Sequence, residues 1–466
     1  MDHDTDRAFA ILLREIAAHL DDPRGRAVTP RVEAGELRRQ IEQRYRDLAG
    51  GRPLAELARD AVRMLREWNV QITHPRYFGL FNPSVKPASV LADALVSLFN
   101  PNLAARAAAQ GACAIERFTL ERFLDLLGFP AADSEASFTS GGGEANHQAL
   151  LTALANRFPG FVEEGAAALG ARPVLYLSAD AHGSLPKAAQ ACGLGRRAVR
   201  TVRVDSQRRL DLEDLAAQVA RDRAEGLAPF FIAATAGTTA AGAVDPVAGA
   251  AELAAQEGLW LHVDAAWGGL ALLSPKLRPL LAGIERADSV TWDAHKGLSV
   301  PLGAGMFFTR HRAAAERAFT VDAGYMPRAD GTGGDPYALT LQWSRRFIGF
   351  KVFLTLASIG FDRLAAEVER MAAVGEALRE RLRKGGWRLV NETPLPVVCF
   401  THERIESGAV RGVELLDRVL RRGRVWISHV KLDGRFAFRA CITSFLATDE
   451  DAEFLVEELR SAMEKW

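Results

Sequence analysis

Apolar positions recur at helical spacing in three early stretches, Phe9 to Leu20, Val32 to Leu48 and Leu54 to Trp68, and this predicts three helices. The breakers "DDPRGRAVTP" and "AGGRP" separate them, and the extended "THPRYFGLFNPS" closes the region near residue 84. From there to about residue 310 the texture changes. Short apolar runs, "PVLYL" (173–177), "AVRTVRV" (198–204), "PFFIAAT" (229–235), "LWLHVD" (259–264) and "SVTW" (289–292), alternate with helical or glycine-containing segments. That rhythm predicts a mostly parallel sheet with helices on both faces, and functional groups at the carboxyl ends of its strands.

Beyond a polar, glycine-rich stretch, "YMPRADGTGGDPY" (325–337), one long helical pattern runs from about Arg345 to Arg383. Strand candidates follow near Val397 to Phe400, Val425 to Ser428 and Phe436 to Ile442, with a final helix expected from Asp449 to Lys465. The expected organisation is a helical N-terminal arm (1–84), a large α/β domain (85–345), and a long helix with a small α+β C-terminal domain (346–466).

Charge narrows the range of functions. With 58 basic against 58 acidic residues, interspersed along the chain, the sequence lacks the electrostatic footprint of a nucleic-acid or anionic-membrane binder. No apolar run is long enough to span a bilayer, and the acidic N-terminus lacks the features of a secretory leader. A cytoplasmic location is expected. Cys113, Cys192, Cys399 and Cys441 are far apart and form no C-x-x-C pair, so neither a zinc site nor a disulfide framework is expected.

Only 8 of those 58 basic residues are lysines, so each lysine can be weighed on its own. Lys86, Lys187, Lys276, Lys351, Lys384, Lys431 and Lys465 sit beside turns or on amphipathic stretches, where a solvated ammonium is the natural reading. Lys296 alone follows directly on a strand-like segment, in "TWDAHKGL", and precedes a second apolar run. Lysine can lose its charge and form a Schiff base, which arginine cannot.

Other groups fall at predicted strand ends. "TSGGGEAN" places Gly141, Gly142 and Gly143 before a helix, where bare N–H groups suit a phosphate; Asn146 stands where a dinucleotide fingerprint needs its third glycine. "HVDAAWGG" ends a buried strand on Asp264, followed by small residues, among them Ala266, that let a flat group approach. "SADAHGSLPKAA" holds His182, and "ATAGTTAAGAVDP" supplies Thr238 and Thr239. Taken singly, each has an ordinary structural explanation: a tight turn, a helix cap, a hydrogen-bonded histidine. As a set they meet the needs of pyridoxal phosphate: an aldehyde partner (Lys296), a counter-ion for the pyridine nitrogen (Asp264) and phosphate donors (Gly141 to Gly143 with His295).

The motifs "THPRYFG", "TSGGGEAN", "ATAGTT", "HVDAAWGG" and "IERADSVTWDAHK", with Asp264 standing 32 residues before Lys296 (296 − 264), resemble those of the group II pyridoxal-phosphate decarboxylases. The resemblance runs from about residue 70 to the end, with the motifs in the family's order. It implies a fold-type I pyridoxal-phosphate enzyme that removes the carboxylate of an L-amino acid as carbon dioxide, and a homodimer with its site at the subunit boundary. It implies Lys296 as the Schiff-base lysine, Asp264 at the pyridine nitrogen, His182 stacked on the ring, Thr239 near the ring hydroxyl and His295 at the phosphate.

By the same resemblance a tyrosine of a mobile loop protonates the product. Tyr337 is the nearest candidate and Tyr325 the second. His74, Tyr77 and Arg439 are candidates to touch substrate. The aromatic "THPRYFGLF" gives aromatic substrates a lead over acidic ones. An aldehyde synthase is the nearest rival, followed by a transaminase or carbon-carbon lyase and a non-catalytic cofactor-binding protein; the retained tyrosine, acid and lysine speak for decarboxylation. The chain departs from the family pattern in having Asp293 and Ala294 where many relatives have asparagine and proline, and Gly297 after the lysine.

Overall fold

The computed structural model describes residues 3–30, 33–81, 84–321, 323–324, 326 and 334–464. The chain divides into two compact units, one of residues 1–84, 374–390 and 398–466, the other of residues 85–373 and 391–397.

The larger unit is built on strands β2 (Glu135–Thr139), β3 (Pro173–Ser178), β4 (Val199–Val202), β5 (Ala228–Thr235), β6 (Trp260–Asp264), β7 (Ser289–Asp293) and β8 (Gly305–Thr309), β1 belonging to the other unit. They form one seven-stranded sheet in the order β2-β8-β7-β6-β5-β3-β4. Pairing is parallel from β4 through β7, while β8 runs antiparallel to both β7 and β2. All residues of β3, β6 and β7 are buried, because helices such as Gly142–Arg157, Ser184–Ala191 and Val247–Glu257 exclude water from the faces. Leu150, Leu154, Leu175, Leu177, Leu185, Phe230, Phe231 and Trp260 pack into one cluster of this core.

The expected strands are all present. Four strands among the described residues fall outside those expectations: β2 and β8 in this sheet, and Tyr77–Phe78 and Trp387–Leu389 in the other unit. The long C-terminal pattern is also corrected. The helix begins at Gly349, not Arg345, and is broken at Gly360, whose φ of +71° no continuous helix can hold.

The smaller unit carries helices His3–Asp21, Ala34–Tyr45 and Leu54–Glu67, close to the three predicted. Its sheet, ordered β1-β11-β12-β10-β9, comprises β1 (Tyr77–Phe78), β9 (Trp387–Leu389), β10 (Val397–His402), β11 (Trp426–Leu432) and β12 (Arg435–Cys441). Asp451, buried in this unit, accepts from Arg24 at 2.7 Å and Arg76 at 3.0 Å. The last helix spans Asp449–Met463 and opens with a capping box between Thr448 and Asp451; Lys465 lies outside the described residues.

Two lysines expected to be solvated are not. Lys86 is 4% exposed and donates to Glu367 at 2.5 Å, and Lys351 is 5% exposed and donates to Asp93 and to the Leu302 carbonyl. Burial lowers the affinity of both for a proton, and the facing carboxylates oppose that effect.

Candidate active site

The carboxyl ends of β6 and β7 bring two acids and a lysine to one edge of the sheet. β7 ends on Asp293 and passes directly into the single turn Ala294–Gly297, so His295 and Lys296 are held by the strand itself. Lys296 Nζ lies 2.9 Å from Asp293 Oδ2, and its side chain keeps 24% of its exposure. His295 is buried. Its Nδ1 accepts from the Ala304 N–H at 3.2 Å, which leaves the ring proton on Nε2, 3.7 Å from Asp293 Oδ2. Burial lowers the His295 pKa, so the ring is neutral near pH 7.

The glycines after β2 come to the same place. Helix Gly142–Arg157 starts without a side-chain cap, and its first turn approaches β7 so closely that a Cβ on Gly142 would lie 2.9 Å from Asp293 Oδ2 and 3.2 Å from Ala266 Cβ. A Cβ on Gly141 would meet His295 Cε1 at 3.4 Å. The glycines therefore keep open the space that Asp293, His295 and Ala266 border, at the electropositive end of a helix.

Asp264, 4% exposed, accepts from Asn146 Nδ2 at 2.8 Å and from the Ala266 N–H at 3.1 Å. Among the described residues no cation pairs with it. A buried carboxylate held only by neutral donors calls for a positive partner. Asn146 is the hub: its amide also donates to Ser184 Oγ at 2.8 Å, and its carbonyl oxygen faces His262 Nε2 at 3.0 Å. Ser184 Oγ in turn meets His182 Nδ1 at 2.9 Å, and His262 Nδ1 meets Ser289 Oγ at 2.9 Å, where Trp260 Nε1 also donates. Burial drives the wholly enclosed His262 imidazole down to about 4, so it is neutral at physiological pH.

His182 is exposed and oriented through Ser184, and Thr239 sits half-buried in the turn after β5. Tyr337 belongs to the same unit; its N–H donates to the Ala104 carbonyl at 3.1 Å and its ring packs on Trp343 at 4.8 Å. Tyr325 lies outside the described residues. In the smaller unit, His74 Nδ1 accepts from the Arg76 N–H, Tyr77 stacks on Trp426 at 5.1 Å with its hydroxyl accepting from the Leu80 N–H, and Arg439 Nε donates to Ser428 at 2.9 Å.

Sequence reasoning missed Asn146, His262 and Ser184. In the sequence Asn146 stands out only as the residue in place of a glycine. The signal for His262 was available, since two residues before Asp264 on a strand puts it on the same face.

The fold and the cluster together define a fold-type I α/β enzyme. Residues 35–403 match the family described as "Pyridoxal-dependent decarboxylase conserved domain", and the chain belongs to that family. Acidic amino acid decarboxylase GADL1 of Bos taurus is 30% identical over 442 residues, 91% of this chain and 84% of that one. Cysteine sulfinic acid decarboxylase of Homo sapiens is 30% identical over 487 residues, 97% of this chain and 96% of that one. A crystal structure of mouse CSAD is similar with a TM-score of 0.89 at 27% identity over 98% of both chains. Oryza sativa TDC with PLP and tryptamine, at 22% identity over 100% of this chain and 98% of that one, shares the fold with a TM-score of 0.91.

The protein is a pyridoxal-phosphate-dependent carboxy-lyase acting on an amino acid. The residues present fit the cofactor: Asp264 is a buried carboxylate that no cation pairs with among the described residues, Gly142 opens a space that a Cβ would fill, and Lys296, 2.9 Å from Asp293, stands just past the end of the neighbouring strand. No helix among the described residues is long and apolar enough to cross a membrane, and no His, Cys, Asp and Glu group there could hold a metal.

Proposed function

We propose that the enzyme decarboxylates an L-amino acid with an acidic side chain, with Lys296 carrying the cofactor. The observation that supports this substrate class most is the 30% identity, over nearly the whole chain, to proteins named for acidic amino acid and cysteine sulfinic acid decarboxylation. The aromatic run favours the other class by its composition, but its residues are engaged in packing: Phe78 is fully buried, Phe81 nearly so, and Tyr77 is stacked on Trp426. That leaves the aromatic reading without its argument.

Bound pyridoxal phosphate supplies an electron sink into which the bond to the departing carboxylate can empty. The residues of this chain serve it as follows. Asp264, held by Asn146 and the Ala266 N–H, keeps a negative charge where a ring nitrogen must stay protonated. The Gly142 and Gly143 N–H groups and His295 take the phosphate, His182 presents its ring face from the Ser184 hydrogen bond, and Thr239 donates at the end of β5. Tyr337 is the proposed proton donor to the product carbon; its short turn Pro336–Ala338 directly follows the glycine-rich stretch.

A homodimer is proposed on a separate ground. Helix Pro87–Phe99 exposes Leu91 (57%), Leu98 (76%) and Phe99 (76%), an apolar stripe that a second copy of the chain would cover. Sedimentation should report twice the chain mass, and Leu98→Glu should reduce it to one.

The test of function is amine and carbon dioxide release from aspartate, glutamate, cysteine sulfinate, tryptophan, tyrosine and dihydroxyphenylalanine, each offered alone to the reconstituted enzyme. Turnover confined to the acidic group supports the proposal. Turnover of the aromatic group alone overturns the substrate class, and aldehyde with peroxide in place of amine overturns the reaction.

A further inference from the structure

Asp293 is the least comfortable group in the site. It is 2% exposed, and Lys296 is its only cationic partner among the described residues. His295, the other ionisable group that faces it, is held neutral by burial. Asp264, on the adjacent strand, is a second carboxyl group and is occupied by Asn146. Asp293 Oδ1 is buried with no hydrogen-bond partner among the described residues, while Oδ2 faces the first turn of helix Gly142–Arg157.

Loading the cofactor removes the compensation on both sides. Lys296 must react as the neutral amine: its ammonium proton is released, its nitrogen forms a double bond to the aldehyde carbon, the aldehyde oxygen leaves as water with the two remaining amine hydrogens, and the lysine is no longer an ammonium partner for Asp293. A phosphate dianion arriving on the glycine N–H groups then faces the same carboxylate. Two like charges in a water-poor site cannot both persist at close range. A proton on Asp293 resolves the conflict and turns a repelling oxygen into a hydrogen-bond donor.

We propose, on the reading that Lys296 carries the cofactor and the glycine turn its phosphate, that Asp293 couples binding of the phosphate to the uptake of one proton, separate from the proton that Lys296 releases on reacting, and stands as a neutral carboxylic acid in the loaded enzyme. An amide at this position would donate without a proton, so the linkage is a property of the aspartate.

The test is equilibrium binding to apoenzyme, read by tryptophan fluorescence, with pyridoxal phosphate and with pyridoxal, which has no phosphate. Each is titrated from about pH 6.5 to about pH 8.5 into the natural chain and into Asp293→Asn. The natural chain should lose affinity for the phosphate form as pH rises, by up to about tenfold per pH unit beyond any trend seen with pyridoxal. Asp293→Asn should flatten that excess and bind the phosphate form at least about tenfold more tightly at the high end. Equal pH trends in the two proteins overturn the proposal.

Should the variant not fold, calorimetry of the natural chain in buffers of different ionisation heat decides alone. About one more proton should be taken up with pyridoxal phosphate than with pyridoxal near pH 8, and no difference sinks the idea. Borohydride reduction followed by peptide mapping separates the two layers. If label appears on a lysine other than Lys296, the site reading has failed; if it appears on Lys296 while the pH trends are equal, only the proton linkage has.

Discussion

His262 offers the sharpest stability test, because its environment is complete within one unit and its protonation is driven in one direction. The imidazole is fully enclosed between Ser289 and Asn146, and burial lowers it from an ordinary 6.5 to about 4. A folded pKa below the unfolded one means that the unfolded chain binds the proton first as pH falls. Stability from this residue is therefore intact above 6.5 and is lost as pH descends toward 4. At about pH 5 the unfolded imidazole is nearly all charged and the folded one nearly all neutral, which amounts to a loss of about 2 kcal/mol relative to about pH 7.5.

The assay is urea denaturation of the apoprotein at both pH values, for the natural chain and for His262→Gln. Asp245, a buried carboxyl pushed up to about 7, shifts stability in the opposite sense, so the quantity to read is the difference between the two proteins. The variant should lose about 2 kcal/mol less than the natural chain on acidification. An identical loss in both would refute the reasoning that His262 is held neutral.

Three further outcomes follow from the geometry. Asp264→Asn, which keeps size and loses charge, should fold and bind cofactor yet release carbon dioxide at least about a hundredfold more slowly; an unchanged kcat removes Asp264 from the site. Gly142→Ala places a methyl 2.9 Å from Asp293 Oδ2 and should weaken cofactor binding about tenfold or more in a fluorescence titration, with the apoprotein melting near its normal temperature. Gly237→Ala meets both a φ of +88° and Trp267 Cε3 at 2.8 Å, and should destabilise the apoprotein by about 2 kcal/mol or more, read as a lower melting temperature.

The parts of the fold that the chain declares locally are those whose burial is uniform. β3 and β5 are apolar on nearly every position, β6 and β7 keep one fully apolar face, and all four are bounded by turn residues, so their residue pattern is enough to locate them. β2, with the sequence EASFT, alternates as β7 does but puts only Ala136 and Phe138 on its apolar face; its polar face is buried because β8 pairs with it and a helix packs on it, which no short window reveals. The site divides in the same way. Lys296 and Asp264 stand at the ends of legible strands. Asn146 earns its place through a hydrogen bond to a residue 118 positions away, and Lys86 is neutralised by Glu367 at a separation of 281. Partnerships at that range leave no trace in composition or periodicity.

The position of β8 has a consequence for how the enzyme is made. β2 has a single neighbour in the sheet, and that neighbour is β8. On a ribosome the strand that leads into the glycine turn therefore emerges early and waits, its edge unpaired, through the synthesis of β3 to β7, until β8 arrives to seat it. Lys296 leaves the tunnel just before that event. Cofactor offered to a nascent chain would find the lysine before the glycine turn is fixed, so loading with pyridoxal phosphate belongs to the end of folding and not to its course.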